Sequence, residues 1–244
     1  MRKAPNNRFS ERYPLLHRVT LPQSWKVNES EQRECKAQFE RLDRLLHEAE
    51  ELLPLAPMYL NSRQHDAPII SVERTAREFT IWMEDFQVRC LSQVLDTMRG
   101  DSVHESPTCF PVGFKFCDVS SLSISRINGN DKILPLSVSK YLPQLNEFHY
   151  DEVTSVSPDC LSMGMLILTH LQGRYENSPL LEVKCRKLEF VEGQRAPFEA
   201  LYGEQYPGLY DAFQSARREK FRYFYYSDAR EFVLQRIAGP GSPT

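Results

Sequence analysis

The sequence predicts an α+β fold, with a long N-terminal helical hairpin followed by a small, mainly antiparallel sheet that helices cover. Three observations lead to this prediction. Apolar residues recur at intervals of three and four in two long segments of the first 105 residues. Beyond residue 110 apolar and polar residues alternate instead, and an Asn-Gly dipeptide separates two short alternating runs. The first spacing is typical of helices, and the second is typical of strands and hairpins.

The first helix is predicted over residues 29–53. Asn28 is a suitable N-cap with Glu31 three residues later, and Pro54 ends the pattern. Its apolar residues step alternately by four and three, which places them on one seam: Cys35, Phe39, Leu42, Leu46, Ala49 and Leu53.

The second helix is predicted over residues 71–99, and Gly100 follows it at a C-terminal cap position. Its apolar seam consists of Val72, Ala76, Phe79, Met83, Phe86, Cys90, Val94 and Met98. The intervening residues 54–70 contain three prolines and can reverse the chain. An antiparallel helical hairpin follows from this arrangement.

Strand patterns dominate the second half of the sequence. The run at 110–119 alternates, and Asn128 begins the turn of a predicted β-hairpin whose second strand carries Pro135, a residue suited to a sheet edge. The apolar segment 158–172 follows a Ser-Pro pair and precedes Gly173, which predicts a buried helix. Residues 180–193 alternate as another strand, and helical spacing returns from Leu209 to about Ile237.

These patterns divide the chain into four segments. They are a basic flexible arm (1–27), the helical hairpin (28–105), an α+β region (106–238) and a disordered tail (239–244). Alternatively, residues 28–238 form one compact domain, because the predicted loops are short.

Composition narrows the class of protein. With 244 residues, 41% of them apolar and 26% charged, the chain has the balance of a folded, water-soluble protein. The formal net charge of −3 argues against a surface built to hold polyanions throughout. The six cysteines are singly spaced and no secretion signal precedes them, so reduced thiols and a cytoplasmic or nuclear location are expected. The basic N-terminus leaves mitochondrial targeting as an alternative.

The leading functional prediction is a non-enzymatic interaction or adaptor protein that binds a partner chain, or a second copy of itself, through its amphipathic helices. The sequence has no glycine-rich phosphate loop and no Gly-x-Ser-x-Gly motif, so no cofactor and no nucleophile are predicted. Each long helix carries more apolar surface than two helices can cover. The predicted partner-binding residues are Phe39, Leu42, Leu46, Phe79, Trp82 and Phe86.

A second hypothesis is RNA binding. The stretch 217–228, RREKFRYFYYSD, mixes basic and aromatic residues, and a basic N-terminal arm could act with it. The candidate contacts are Arg2, Lys3, Arg8, Arg12, Arg217, Arg218, Lys220, Arg222, Tyr223 and Tyr225. The opposing interpretation is that this stretch faces the protein core.

A third hypothesis is a metal-dependent enzyme. In an extended segment 146–152, His149 and Asp151 share one face with Glu147, and His170 is a potential third ligand. Two imidazoles and a carboxylate suit iron or a similar divalent ion. The opposing interpretation is a solvated acidic turn, with Asp151 orienting His149 for proton transfer as a further alternative.

Overall fold

The structure is a computed structural model that describes residues 8–20, 29–61, 63–101, 109–128, 130–169, 179–220 and 225–237. Within these residues, nine strands form a single sheet in which every neighbouring pair is antiparallel. The strands are β1 (Ala67–Arg74), β2 (Glu78–Glu84), β3 (Pro111–Cys117), β4 (Ser121–Ile127), β5 (Ile133–Leu136), β6 (Leu145–Ser157), β7 (Cys160–Thr169), β8 (Leu180–Cys185) and β9 (Lys187–Glu192). Their order in the sheet is β5-β4-β8-β7-β6-β1-β2-β3-β9.

The sheet curls back on itself. Strands β8 and β9 are joined by the single residue Arg186, yet they occupy the third and ninth places in the order. Six inter-strand steps would separate them by about 29 Å in a flat sheet. One linking residue spans only about 7 Å between the flanking Cα atoms. The sheet must therefore bend until the end of β8 meets the start of β9. Register shifts in β6, which mark bulges, favour this curvature.

Helices cover the curled sheet. They are α1 (Phe9–Arg12), α2 (Pro14–Thr20), α3 (Glu29–Glu48), α4 (Ala56–Tyr59), α5 (Phe86–Arg99), α6 (Val138–Tyr141), α7 (Arg195–Tyr202), α8 (Leu209–Lys220) and α9 (Tyr226–Ile237), with a 3-10 turn at Leu142–Gln144. None of the described helices has the length and apolarity that crossing a membrane requires.

The main core fills the inside of the curled sheet. Its aromatic centre is Phe114, which packs edge-on against Phe148 and Phe190, while α3 contributes Leu42 and Leu46. Strands from both halves of the sheet supply the remaining apolar side chains, so that one cluster links β2 and β3 to β7 and β8. The burial of this surface is the main force that holds the two halves together.

A second core lies between α5 and the three C-terminal helices α7, α8 and α9. Leu91 and Leu95 of α5 belong to the same buried cluster as Phe198, Phe213 and Val233 from those helices. A smaller third cluster holds α1 and α2 against the sheet; it contains Phe9, Tyr13 and Leu16 with Leu166 and Leu180. Part of the segment assigned to a flexible basic arm thus forms α1 and α2, in which Phe9 and Leu16 are buried.

A buried ion pair connects α8 to the start of α5. The Arg217 guanidinium lies 3.0 Å from the Asp85 carboxylate, with side-chain exposures of 1% and 0%. The Asp85 carboxylate also accepts from the backbone N–H groups of Gln87 and Val88, which makes it the N-cap of α5. Arg217 lies over the ring of Tyr59, 5.0 Å from its centre. Helix α8 is therefore fixed by charge as well as by apolar packing.

The predicted fold class is wrong: the described residues form a nine-stranded antiparallel sheet rather than a small one, and they contain no long N-terminal helical hairpin. The first predicted helix is present as α3, which ends at Glu48. The second, at 71–99, divides into the hairpin β1–β2 and the shorter helix α5. The hairpin turns at Thr75, whose hydroxyl accepts from the Arg77 and Glu78 backbone N–H groups. Phe79 and Met83 of the helical seam also fit a strand, since together with Ile81 they occupy every second position of β2 and all three are buried.

The helix predicted at 158–172 is also wrong. Residues Cys160–Thr169 form β7, which pairs with β6 on one side and β8 on the other. The Ser-Pro pair that resembled a helix start is instead the turn between β6 and β7. An apolar run without polar interruptions fits a central strand as well as a buried helix, so periodicity could not separate them.

Other strand predictions are confirmed. Strand β3 lies within the predicted segment 110–119, and β4 and β5 form the hairpin predicted around Asn128. Pro135 lies in β5, which is an edge strand, as its missing N–H requires. The strand predicted at 180–193 is two strands, β8 and β9, because the chain changes position at Arg186.

Candidate metal centre

The only described cluster of potential metal ligands forms where the two halves of the sheet meet. Strands β1 and β6 share two pairs, Ala67 with Phe148 and Pro68 with Glu147. One step beyond the first pair, the same antiparallel register places Asp66 opposite His149. Residues directly opposite in antiparallel strands have Cβ atoms about 5 Å apart. The register thus brings together side chains that are 83 positions apart in the sequence.

Both His149 and Asp66 lie at irregular positions of the backbone. His149 has no partner in the ladder between β6 and β7, where Phe148 pairs with Ile167 and Tyr150 with Leu166, so it is the extra residue of a bulge. Asp66 has φ of 61°, in the left-handed region that aspartate tolerates better than most residues. Bulges and left-handed residues often re-aim side chains at functional sites.

Three side chains converge at this point. The Nδ1 atom of His65 lies 2.8 Å from Asp66 Oδ2, and the Nδ1 atom of His149 lies 3.2 Å from Asp66 Oδ1. One ligand atom from each residue lies within 4.8 Å of the others. The two imidazole rings meet nearly edge to face, with centres 5.5 Å apart. A single carboxylate therefore stands between two histidines.

The segment that carries His65 and Asp66 is anchored on several sides. The Arg89 guanidinium donates to the Asp66 carbonyl over 3.3 Å, and the Ala67 N–H donates to the carbonyl of Gln64. Gln64 is itself buried and accepts from the Phe86 backbone N–H. These contacts hold the two residues in place before any ligand binds, which lowers the cost of assembling a site.

The electrostatics favour an ionised carboxylate. Burial opposes ionisation of Asp66, but hydrogen bonds from His149 and His65 outweigh it and hold the pKa of Asp66 below its ordinary value. The side chain stays a carboxylate throughout the neutral range and is available as an oxygen ligand.

The site is buried on the His149 side and open to solvent on the Asp66 side. His149 is 1% exposed, whereas the side chain of Asp66 is 42% exposed. Glu147 lies on the open side with its Oε1 3.6 Å from His149 Nε2. A carboxylate on the second nitrogen of a metal-binding histidine orients the ring and fixes its tautomer. At 3.6 Å Glu147 is an ion-pair neighbour of this nitrogen, and it would have to move closer to accept a hydrogen bond and orient the ring.

The structure changes which residues make up the candidate metal site. His149 is brought into the cluster, but Asp151 is fully buried and accepts from the Asn61 backbone N–H over 2.8 Å. The bulge at His149 breaks the alternation on which their shared face depended. His170 lies outside the described residues. The candidate ligands that the sequence analysis did not identify are His65 and Asp66; a His-Asp pair just before a strand was the available signal.

The predicted partner-binding residues belong largely to the interior. Leu42, Leu46 and Phe79 are buried in the main core. Phe39 and Phe86 are half-buried and pack against the same core. Trp82 is half-buried as well, and its ring lies over Gly113, where an added Cβ would be 3.0 Å away.

The predicted nucleic-acid contacts are dispersed. Arg217 is buried against Asp85, so its guanidinium cannot reach a phosphate. Arg12 pairs with Glu182 over 2.8 Å, whereas Arg8, Arg218 and Tyr225 are exposed. For Lys220 only the backbone is described. Arg2, Lys3, Arg222 and Tyr223 lie outside the described residues.

Comparison with known proteins adds no family: no family model and no curated protein matches this sequence. The candidate site therefore has to be judged on its own geometry.

Proposed function

We propose that the protein binds a divalent transition-metal ion through His65, Asp66 and His149. The observation that carries this proposal is the convergence of two imidazoles and one carboxylate, whose ligand atoms lie within 4.8 Å of one another. Two nitrogen donors and one oxygen donor are a ligand set that zinc and iron use in proteins.

Holding the ion requires a modest rearrangement of the three side chains. Ligand atoms around a tetrahedral ion, at metal distances of about 2.0–2.1 Å, are about 3.3 Å apart. The nitrogen–oxygen distances of 2.8 and 3.2 Å lie just below this value, and each joins a histidine to a different oxygen of Asp66. Metal binding at Nδ1 would replace the hydrogen bonds from the histidines to Asp66, and each ring proton would then be on Nε2. Protons compete with the metal for imidazole nitrogens, so binding would weaken at acid pH.

Three protein ligands leave at least one coordination position for water or a substrate. The exposure of Asp66 places that position on the solvent side. The proposed function is thus a metal-dependent one, with Glu147 as the residue that orients His149.

The test is a zinc titration of the metal-free protein by isothermal calorimetry. We expect about one zinc ion per chain in the wild type. His65→Ala and Asp66→Asn should each abolish or severely weaken binding, and Glu147→Gln should weaken it about 10- to 100-fold. His47→Ala, at an exposed histidine of α3, is the matched control and should bind like the wild type.

Two outcomes would contradict the proposal. One is the absence of saturable zinc binding by folded wild-type protein. The other is equal binding by Asp66→Asn, a substitution that keeps the size of the side chain and removes only the charged oxygen.

The adaptor and RNA-binding hypotheses stay predictions, and so does the predicted location. The adaptor hypothesis depended on surplus apolar surface on a helical hairpin, which the structure replaces with strands and a shared core. The RNA hypothesis loses Arg217 to the buried ion pair.

A further inference from the structure

A cleft of about 400 Å³ opens at the end of the curled sheet where β8 meets β9. Four chain segments surround it: the turn after α3, the end of β3, the turn between β6 and β7, and the junction at Arg186. Small-molecule sites in proteins commonly have volumes of about 300–1,000 Å³ and often lie at the mouths of curved or closed sheets. None of its lining residues belongs to the candidate metal centre.

The interior of the cleft is apolar. Leu53 and Leu161 line it and are almost fully buried, so they form its floor. Val156 and Pro158 line one side, and Leu52, which is 40% exposed, lines the entrance. This floor suits an aliphatic or aromatic group of modest size.

Two residues of opposite charge line the cleft from adjoining backbone segments. Arg186 and Asp118 both line the cleft, and their backbones adjoin because the Arg186 N–H donates to the carbonyl of Cys117 over 3.1 Å. Asp118 is held in a left-handed conformation with φ of 52°. In the described part of the chain, no ion pair within 4.0 Å joins either side chain to another residue.

The lining carries no large excess of either charge. It has two basic residues, Arg186 and Lys187, and two acidic ones, Asp118 and Glu51. Lys187 is already paired with Glu189, which lies outside the lining, over 2.7 Å. A ligand with a large net charge of either sign gains little from such a rim, whereas a ligand with adjacent opposite charges can pair with both.

We propose that this cleft binds a free α-amino acid with an apolar side chain. Its carboxylate pairs with Arg186, its ammonium pairs with Asp118, and its side chain lies on Leu53 and Leu161. An α-amino acid carries its two charges on one carbon, which matches two charged residues on adjoining backbone segments. The guanidinium is the side chain best suited to a carboxylate, because its planar fork can donate two parallel hydrogen bonds.

The test is calorimetric titration of the full chain with L-phenylalanine and two analogues. Phenethylamine lacks the carboxylate, and 3-phenylpropionate lacks the ammonium group. We expect saturable binding of phenylalanine and at least about tenfold weaker binding of each analogue, since each loses one charge-assisted hydrogen bond. L-Serine should bind more weakly than phenylalanine because it leaves the apolar floor uncovered.

Two variants separate the cleft from the rest of the surface. Arg186→Glu should weaken phenylalanine binding by about tenfold or more, through loss of the pair with the carboxylate. Lys184→Glu makes the same change of charge at an exposed position two residues earlier in β8, outside the cleft, and should bind like the wild type.

The proposal is overturned if folded wild-type protein shows no saturable binding, or if Arg186→Glu binds phenylalanine as tightly as the wild type. It is also overturned if either analogue binds as tightly as phenylalanine, since the ligand then needs only one of the two charges. These results are independent of the metal centre, because zinc is not a component of the titration.

Discussion

Replacing Arg217 with alanine should destabilise the protein more than any loss of a surface ion pair. The guanidinium lies 3.0 Å from Asp85, and both side chains are removed from solvent. Arg217 also donates to Gln214 and to the carbonyl of Met58. The substitution leaves a buried carboxylate without its cation, a change that costs about 3–5 kcal/mol in proteins.

Other donors reduce this cost without removing it. The side chain of Gln194 donates to Asp85 over 2.8 Å, and two backbone N–H groups of α5 donate to the same carboxylate. We therefore expect a loss of about 3 kcal/mol, at the lower end of the range. This is a large part of the 5–15 kcal/mol that typically separates folded from unfolded states.

The assay is equilibrium urea unfolding, with Arg195→Ala as the matched control. Arg195 pairs with Asp211 through two hydrogen bonds of 2.7 and 2.8 Å, but the two side chains are 62% and 57% exposed. Its loss should cost about 0–1 kcal/mol, because water screens the charges. Arg195 makes shorter hydrogen bonds to its carboxylate than Arg217 does to Asp85. A larger loss in Arg217→Ala would therefore reflect burial and not hydrogen-bond length. Equal losses in the two variants, or a loss below about 1 kcal/mol for Arg217→Ala, would refute this reasoning.

Two further predictions concern the packing of α1 and α2 on the sheet. Gly164→Ala should lower the free energy of unfolding by about 1–3 kcal/mol, because the added Cβ would lie 2.5 Å from the buried ring of Tyr13. In urea unfolding, this loss should be smaller when Tyr13 has already been replaced by alanine. An unchanged loss would contradict the contact. Burial is the main cause that raises the pKa of Glu152 to about 7, so the folded state binds more protons than the unfolded state between about pH 4.5 and 7. The free energy of unfolding should therefore fall as pH rises through this window, by on the order of 3 kcal/mol. Glu152→Gln should remove this pH dependence, as measured by urea unfolding at several pH values. The same pH dependence in both proteins would contradict the prediction.

The sequence allowed those elements to be predicted whose signals are local. The hairpin at β4–β5 could be predicted because Asn128 begins a turn whose chemistry is specific, and its Oδ1 does accept from the N–H groups of Asn130 and Lys132. The end of α5 could be predicted because Gly100 adopts the left-handed conformation that helix termini favour, with φ of 79°.

The sheet could not be predicted in full because its pairing depends on distant contacts. The segment 71–84 fits both a helical and a strand period, and only the pairing of β1 with β2 and of β2 with β3 decides between them. The apolar run in β7 is buried on both faces, as in a central strand, so it has no alternation to detect. No residue near Arg186 indicates that the chain leaves the interior of the sheet there and continues as the edge strand β9.

The candidate metal centre shows the same limit. The sequence identified His149 as a potential ligand but paired it with Asp151, a near neighbour along the chain. The actual neighbours, His65 and Asp66, reach it through the register of β1 and β6. Sites whose residues come from different strands depend on that register, and the register cannot be deduced from a single sequence.

The most direct test of the proposed metal centre is an anomalous diffraction map at the zinc absorption edge, from crystals of the protein soaked with zinc. We expect a strong peak about 2.0–2.1 Å from Nδ1 of His65 and of His149, with the Asp66 carboxylate as the third protein ligand. A peak elsewhere on the surface, with this cluster still joined by its hydrogen bonds, would contradict it.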